Sequence, residues 1–123
     1  MSETPLLRLF DGLAKGDIAA VRACFSPEAV IWHGFDGIAL NVEDFLCSME
    51  GLIGYTAERW IQDVHSLVTA EGLVQQHVFV VHTQAGDRKA WYVCIVAKIA
   101  DGLITRVDEY IDRAGFFVPA NAF

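Results

Sequence analysis

The chain has 123 residues, 54% of them hydrophobic and 20% charged, and carries a formal net charge of −7. That length and apolar content fit one domain with a core of its own, spanning residues 1–123, and exclude a disordered chain. Nine Lys and Arg residues, scattered singly apart from Arg88-Lys89, form no basic stripe, so nucleic acid and an anionic membrane are excluded as expected partners.

From the N-terminus, Leu6, Leu7, Leu9, Phe10, Leu13 and Ala14 recur at helical spacing up to a break at Gly16. Asp17 then caps a second helix through Ile18, Val21, Cys24 and Phe25, predicted to stop at Ser26-Pro27. A short β-prone run, Ala29 to His33, precedes the turn-rich Gly34-Phe35-Asp36-Gly37. Asn41 followed by Asp44 resembles a capping box for a third helix carrying Phe45, Leu46, Met49 and Leu52. Four β-rich segments follow, roughly 56–70, 73–84, 89–100 and 103–112, separated by the hairpin signals Glu71-Gly72, Gly86-Asp87 and Asp101-Gly102. Helices first and a meander after predict an α+β fold, a curved antiparallel sheet wrapped around three N-terminal helices. Segments 73–84 and 89–100 are apolar on both faces. One face meets the helices and an internal pocket, and the other most simply meets a second copy of the chain, a homodimer through the outer sheet face.

Cys24, Cys47 and Cys94 are odd in number, far apart and set in apolar segments, which suits buried free thiols in a reducing compartment. The N-terminus lacks the basic region and long apolar run of a signal peptide, and no stretch approaches the roughly 20 apolar residues that span a bilayer. A cytoplasmic protein is the expectation.

The informative residue is Glu109. In a strand its face would carry Leu103, Thr105, Val107 and Ile111, with Ile104, Arg106, Asp108, Tyr110 and Asp112 opposite. An ionised carboxylate among apolar neighbours must be paired, protonated or hydrated, and each option makes it a candidate acid or base. His77 repeats the pattern among Leu73, Gln75, Phe79, Val81 and Thr83. If both faces line one cavity, Glu109 could orient His77 or share a proton with it. His33 ends its strand where a side chain can reach a cavity mouth, Gln75 offers a polar contact, and Trp32, Trp60, Trp91, Phe79 and Tyr55 supply aromatic surface for a hydrophobic small molecule. The plainer alternatives are a satisfied core histidine at His77 and a Glu109 bonded to a backbone amide or to a side chain of the C-terminal tail, Ala114 to Phe123, which carries Phe116, Phe117, Val118 and Phe123. His33, His77 and Glu109 could also compose a facial metal triad, but no metal-binding spacing supports one.

Two motifs carry a family resemblance. Leu13-Ala14-Lys15-Gly16-Asp17-Ile18-Ala19-Ala20-Val21 leads through Phe25-Ser26-Pro27-Glu28-Ala29-Val30 to Trp32-His33, and Ala100-Asp101-Gly102-Leu103-Ile104 leads to Glu109-Tyr110-Ile111-Asp112. Together with the order of elements they resemble the nuclear transport factor 2 superfamily, in its SnoaL-like branch, over nearly the whole chain. The resemblance implies a cone-shaped α+β barrel with a deep pocket, commonly dimerising through the sheet, in a superfamily that holds ketosteroid isomerases, limonene epoxide hydrolases, polyketide cyclases, dehydratases and non-catalytic members. It places His33 where ketosteroid isomerases hold their Asp base and Leu9 near their oxyanion Tyr, with their partner Asp lost around Tyr92 to Cys94. It also places Gln75, His77 and Glu109 where limonene epoxide hydrolases hold an Arg and two Asp residues. The resulting expectation is a cofactor-independent acid/base enzyme of isomerase, cyclase, dehydratase or hydrolase type. Its catalytic residues are Glu109, His77 and His33, and its ligand contacts are Gln75, Trp32, Phe79, Trp91 and Tyr55. The rival is a non-catalytic binding or dimerisation module.

Overall fold

The computed structural model describes residues 3–118. Thr4 caps α1 (Pro5–Lys15) by accepting from Leu7 N, with Pro5 supplying a preset φ in the first turn, and Gly16 ends the helix at φ 68°. Leu6, Leu9, Phe10 and Leu13 form the buried stripe of α1, each contributing about 2 kcal/mol on leaving water. Asp17 caps α2 (Ile18–Arg22), which is one turn shorter than its apolar pattern predicts. Cys24 and Phe25 lie beyond it, and Phe25 opens β1 (Phe25–His33). The sequence signal that misleads is Pro27. It sits where the β1 ladder is interrupted between Phe25 and Val30, so its missing N–H breaks no pairing.

A two-residue β2 (Ala39–Leu40) precedes α3 (Val42–Tyr55), which Asn41 caps through Asp44 N. The four β-rich segments become β3 (Thr56–Val68), β4 (Gly72–Thr83), β5 (Arg88–Ala100) and β6 (Leu103–Ile111). The sheet order is β2-β1-β6-β5-β4-β3, open at both edges. It is mixed rather than wholly antiparallel, because β1 runs parallel to β6. That long-range crossover leaves no local signature, whereas the three hairpins do. The sheet curls, since α3 touches both β1 and β3, which lie toward opposite edges.

The main core lies between helices and sheet, where the α1 stripe and Phe45 meet Ile31, Leu73, Val93, Ile95, Ala97 and Val107. Alternation along β6 fails at its start. Thr105 is the extra residue of a bulge opposite Lys98 and Ile99, so Ile104 turns into the core and Leu103 and Thr105 do not share the Glu109 face. On the other side of the sheet, Val78, Val80 and Ala90 form a second cluster with Trp60 and Phe117. Arg59, on β3, is buried. Its Nε donates to Leu13 O at 2.9 Å and its Nη1 to Thr56 Oγ1 at 3.0 Å, setting a cation at the C-terminal end of α1, where the helix dipole favours one. All three cysteines are free thiols, but Cys47 is exposed on α3, contrary to its apolar context.

Candidate functional site

Register fixes which side chains share the concave face. His33 on β1 is level with Glu109 on β6, then Ile95 on β5 and Gln75 on β4. The next row holds Ile111, Val93 and His77, and the one after it Trp91 and Phe79. Glu109 and His77 are therefore two strands and one row apart, about 12 Å between Cα atoms on an ideal sheet. The imidazole near Glu109 is His33 instead, its Nε2 3.8 Å from Oε1.

Both groups are partly enclosed, with His33 12% and Glu109 23% exposed at the side chain. Burial pushes the Glu109 carboxyl up from 4.5 to about 7, opposed by the nearby Arg113 guanidinium. Burial also holds the His33 imidazole below its ordinary 6.5; Asp36 opposes that shift and Arg113 adds to it. Near neutral pH the pair is thus a neutral imidazole beside a carboxyl close to its midpoint, a combination able to give or take a proton. The turn after His33 braces this geometry. Gly34 N donates to Glu109 O at 2.8 Å, and Phe35 stacks on His33 with ring centres 5.1 Å apart.

His77 lies deeper, 3% exposed and edge-on to Phe10 at 4.7 Å. Gln75 Nε2 lies 3.0 Å from His77 Nδ1. With the amide donating, the imidazole carries its proton on Nε2. That atom and Gln75 Oε1 are buried without a hydrogen-bond partner. Burial pulls His77 down to about 4, so it is neutral throughout the physiological range.

The aromatic residues divide. Phe79 and Trp91 share the concave face, 6.3 Å apart and nearly parallel, and Phe116 packs edge-on to Trp91. Trp32 turns to the opposite face, against Tyr110 at 5.5 Å, as strand alternation next to His33 requires. Tyr55, at the end of α3, is 55% exposed and its carbonyl accepts from Gln84 N, just past the end of β4 and away from Glu109. Neither contributes to the wall around Glu109. Trp60 faces outward with His82.

Sequence reasoning passed over Arg113. It follows β6, stands over the Phe35 ring at 4.6 Å, and its carbonyl accepts from Trp91 Nε1 at 3.0 Å. The signal was available only as position, a cation four residues past Glu109. Of the apolar tail residues, Phe117 bridges to Ala90 and stacks on Tyr92, while Phe123 lies outside the described residues. Among the described residues, no group of three or more His, Cys, Asp or Glu is placed to hold a metal ion, and no helix is long and apolar enough to cross a membrane. A groove of about 440 Å³ opens mainly on the outer face, among Asp63, Gln76, Tyr92 and Tyr110, and is lined also by His77 and Val93. Because it does not reach Glu109, the functional reading rests on the concave-face side chains.

A family model described as a SnoaL-like domain matches residues 6–107. No curated protein matches the sequence. Among solved structures, the chain is similar to a candidate polyketide cyclase from Pseudomonas putida at 16% identity and TM-score 0.76, covering 92% of this chain and 95% of that one. It is similar to an epoxide hydrolase of M. tuberculosis, described as LEH-like, at 19% identity and TM-score 0.71, covering 88% and 80%. It is also similar to a Catenulispora acidiphila protein of ketosteroid isomerase-like fold at 9% identity and TM-score 0.77, covering 89% and 86%. At such identities the likeness is one of fold.

Proposed function

Because the chain belongs to the SnoaL-like domain family, we propose that it is a cofactor-independent enzyme that moves a proton on a hydrophobic small molecule, in an isomerase, cyclase, dehydratase or hydrolase reaction. The observation that carries this reading is the enclosed Glu109 carboxyl, poised at about 7, with the His33 imidazole 3.8 Å away. Glu109 acts as general base or acid and His33 as the second proton carrier. Phe79 and Trp91 hold the apolar body of the substrate. Gln75 and His77 form the polar floor of the face, too deep to take the proton from Glu109 directly. A carboxylate tuned toward neutrality is a stronger base than an ordinary one while remaining partly ionised, which is what abstraction next to a carbonyl demands.

The test is deuterium exchange at the enolisable carbon of 2-tetralone in D₂O, followed by NMR. Glu109→Gln is expected to slow the protein-catalysed rate by about 10²–10⁴-fold, and His33→Gln by a smaller factor. An unchanged rate in Glu109→Gln would leave the binding module as the function.

The chain is also proposed to form a homodimer through the outer sheet face. Tyr92 is 73% exposed there, with Val96 and Tyr110 beside it, an apolar patch that a partner subunit would cover. Sedimentation equilibrium should give twice the chain mass, and Tyr92→Glu should shift it toward monomer. A monomeric wild type refutes the assignment.

A further inference from the structure

The acid/base reading leaves one cation without a task. Arg113 is fixed at the rim of the concave face by a relay of contacts: its carbonyl takes the Trp91 indole N–H, and its guanidinium lies over Phe35, which stacks on His33. Among the described residues, no carboxylate lies within ion-pair distance of that guanidinium. Two neighbouring acids are engaged elsewhere, Asp112, the residue before it, with Ala114 N, and Asp36, the residue after Phe35, with Ile38 N. Its charge is nevertheless felt by both Glu109 and His33. Facing Glu109 are His33 from β1, apolar Ile95 from β5, and Arg113 from the segment after β6, with Asp36 on the neighbouring turn acting against Arg113 at His33; when Glu109 holds its proton, no ionised carboxylate on the face itself stands opposite the guanidinium. A planar cation held over an aromatic ring, with no protein carboxylate in ion-pair contact, matches a planar anion. The chain as a whole repels anions at −7, but that long-range field is screened at physiological salt while a direct contact is not.

We propose that Arg113 binds the ionised acidic group, a carboxylate or enolate, of an apolar ligand whose body lies against Phe79, Trp91 and Phe116. This names the substrate class of the site above and rests on that reading for the chemistry at the ligand's other end. The guanidinium holds the charged end at the rim, and Glu109 meets the adjoining carbon.

The experiment compares 2-naphthoate with the uncharged, similarly shaped 2-naphthamide, titrated into the labelled protein with the Trp91 indole N–H as reporter. Naphthoate is expected to bind about tenfold tighter than the amide, from one charge-assisted hydrogen-bonded pair. Arg113→Gln should remove that preference without changing amide binding, and Arg113→Lys should restore part of it. Naphthoate affinity, but not amide affinity, should fall as pH rises through about 7, because ionised Glu109 then competes for the same cation. Equal affinities for the two probes overturn the proposal. So does equal loss of both in a natively folded Arg113→Gln, and so does an absence of naphthoate binding. The preference persisting alongside an unaltered exchange rate in Glu109→Gln would keep the anion site and remove the acid/base assignment, so the two ideas fail separately.

Discussion

Glu109→Gln should stabilise the protein above neutral pH even as it disables it. Raising the carboxyl from 4.5 to about 7 means that the folded chain holds this proton more tightly than the unfolded chain does. At about 1.4 kcal/mol per tenfold, the shift corresponds to about 3 kcal/mol, and the 23% exposure of the side chain makes that an upper figure. The contribution is fully present below 4.5 and is lost as pH rises through about 7, beyond which an enclosed charge is carried at that expense. Glutamine has no proton to lose and is nearly the same shape. His77 acts with the opposite sign, because its pKa is pulled from 6.5 to about 4, so stability falls as pH drops through that window. The wild-type curve alone therefore mixes two opposing slopes, and the difference between wild type and variant isolates Glu109. Urea unfolding followed by tryptophan fluorescence from pH 4 to 9 should give a difference that rises across the 4.5 to 7 window in favour of glutamine, by about 2–3 kcal/mol. A difference independent of pH would refute the claim that burial of this carboxyl is what shifts it.

Two further stability predictions follow from buried polar groups. Arg59→Met should cost about 2–4 kcal/mol in urea unfolding, since it removes charge-assisted bonds to Leu13 O and Thr56 Oγ1 and the cation at the end of α1; a cost under about 0.5 kcal/mol would mean these bonds only replace water. His77→Leu should cost about 1–3 kcal/mol by stranding the Gln75 amide, while the double change with Gln75→Leu should be more stable than His77→Leu alone. Additive losses would contradict the view that the pair is costly chiefly when half satisfied.

Much of the architecture was legible because its signals are local. Asp17 and Asn41 cap the helices they were expected to cap, and the Gly-bearing turns at Gly72, Gly86 and Gly102 divide the four long strands. Glu109 stood out because period-two alternation holds from Val107 to Ile111, beyond the bulge at Thr105. What remained hidden depends on pairing between distant segments. Nothing near His33 says that it will lie level with Glu109, since a parallel partner has no turn to announce it. Trp32 could not be assigned a face before the register of its strand was known. Tyr55 reads as a ligand contact from its composition alone, yet the helix that carries it ends at the far side of the sheet. Arg113 follows the last strand, where no periodicity orders the side chains, and its contacts with Trp91 and Phe35 give it a place.

The parallel seam between β1 and β6 also sets when His33 and Glu109 can come together. The three hairpins close between neighbours in the chain, but the histidine and the glutamate come from opposite ends of it, and joining them requires closing the largest loop in the topology. A nascent chain halted before Leu103 would hold a meander and helices but no proton-transfer pair. Pulse-labelled amide exchange during refolding should accordingly find β3, β4 and β5 protected before the Gly34 N–H, which donates across the seam to Glu109 O. The face that carries His33 and Glu109 would then be the last surface this molecule finishes.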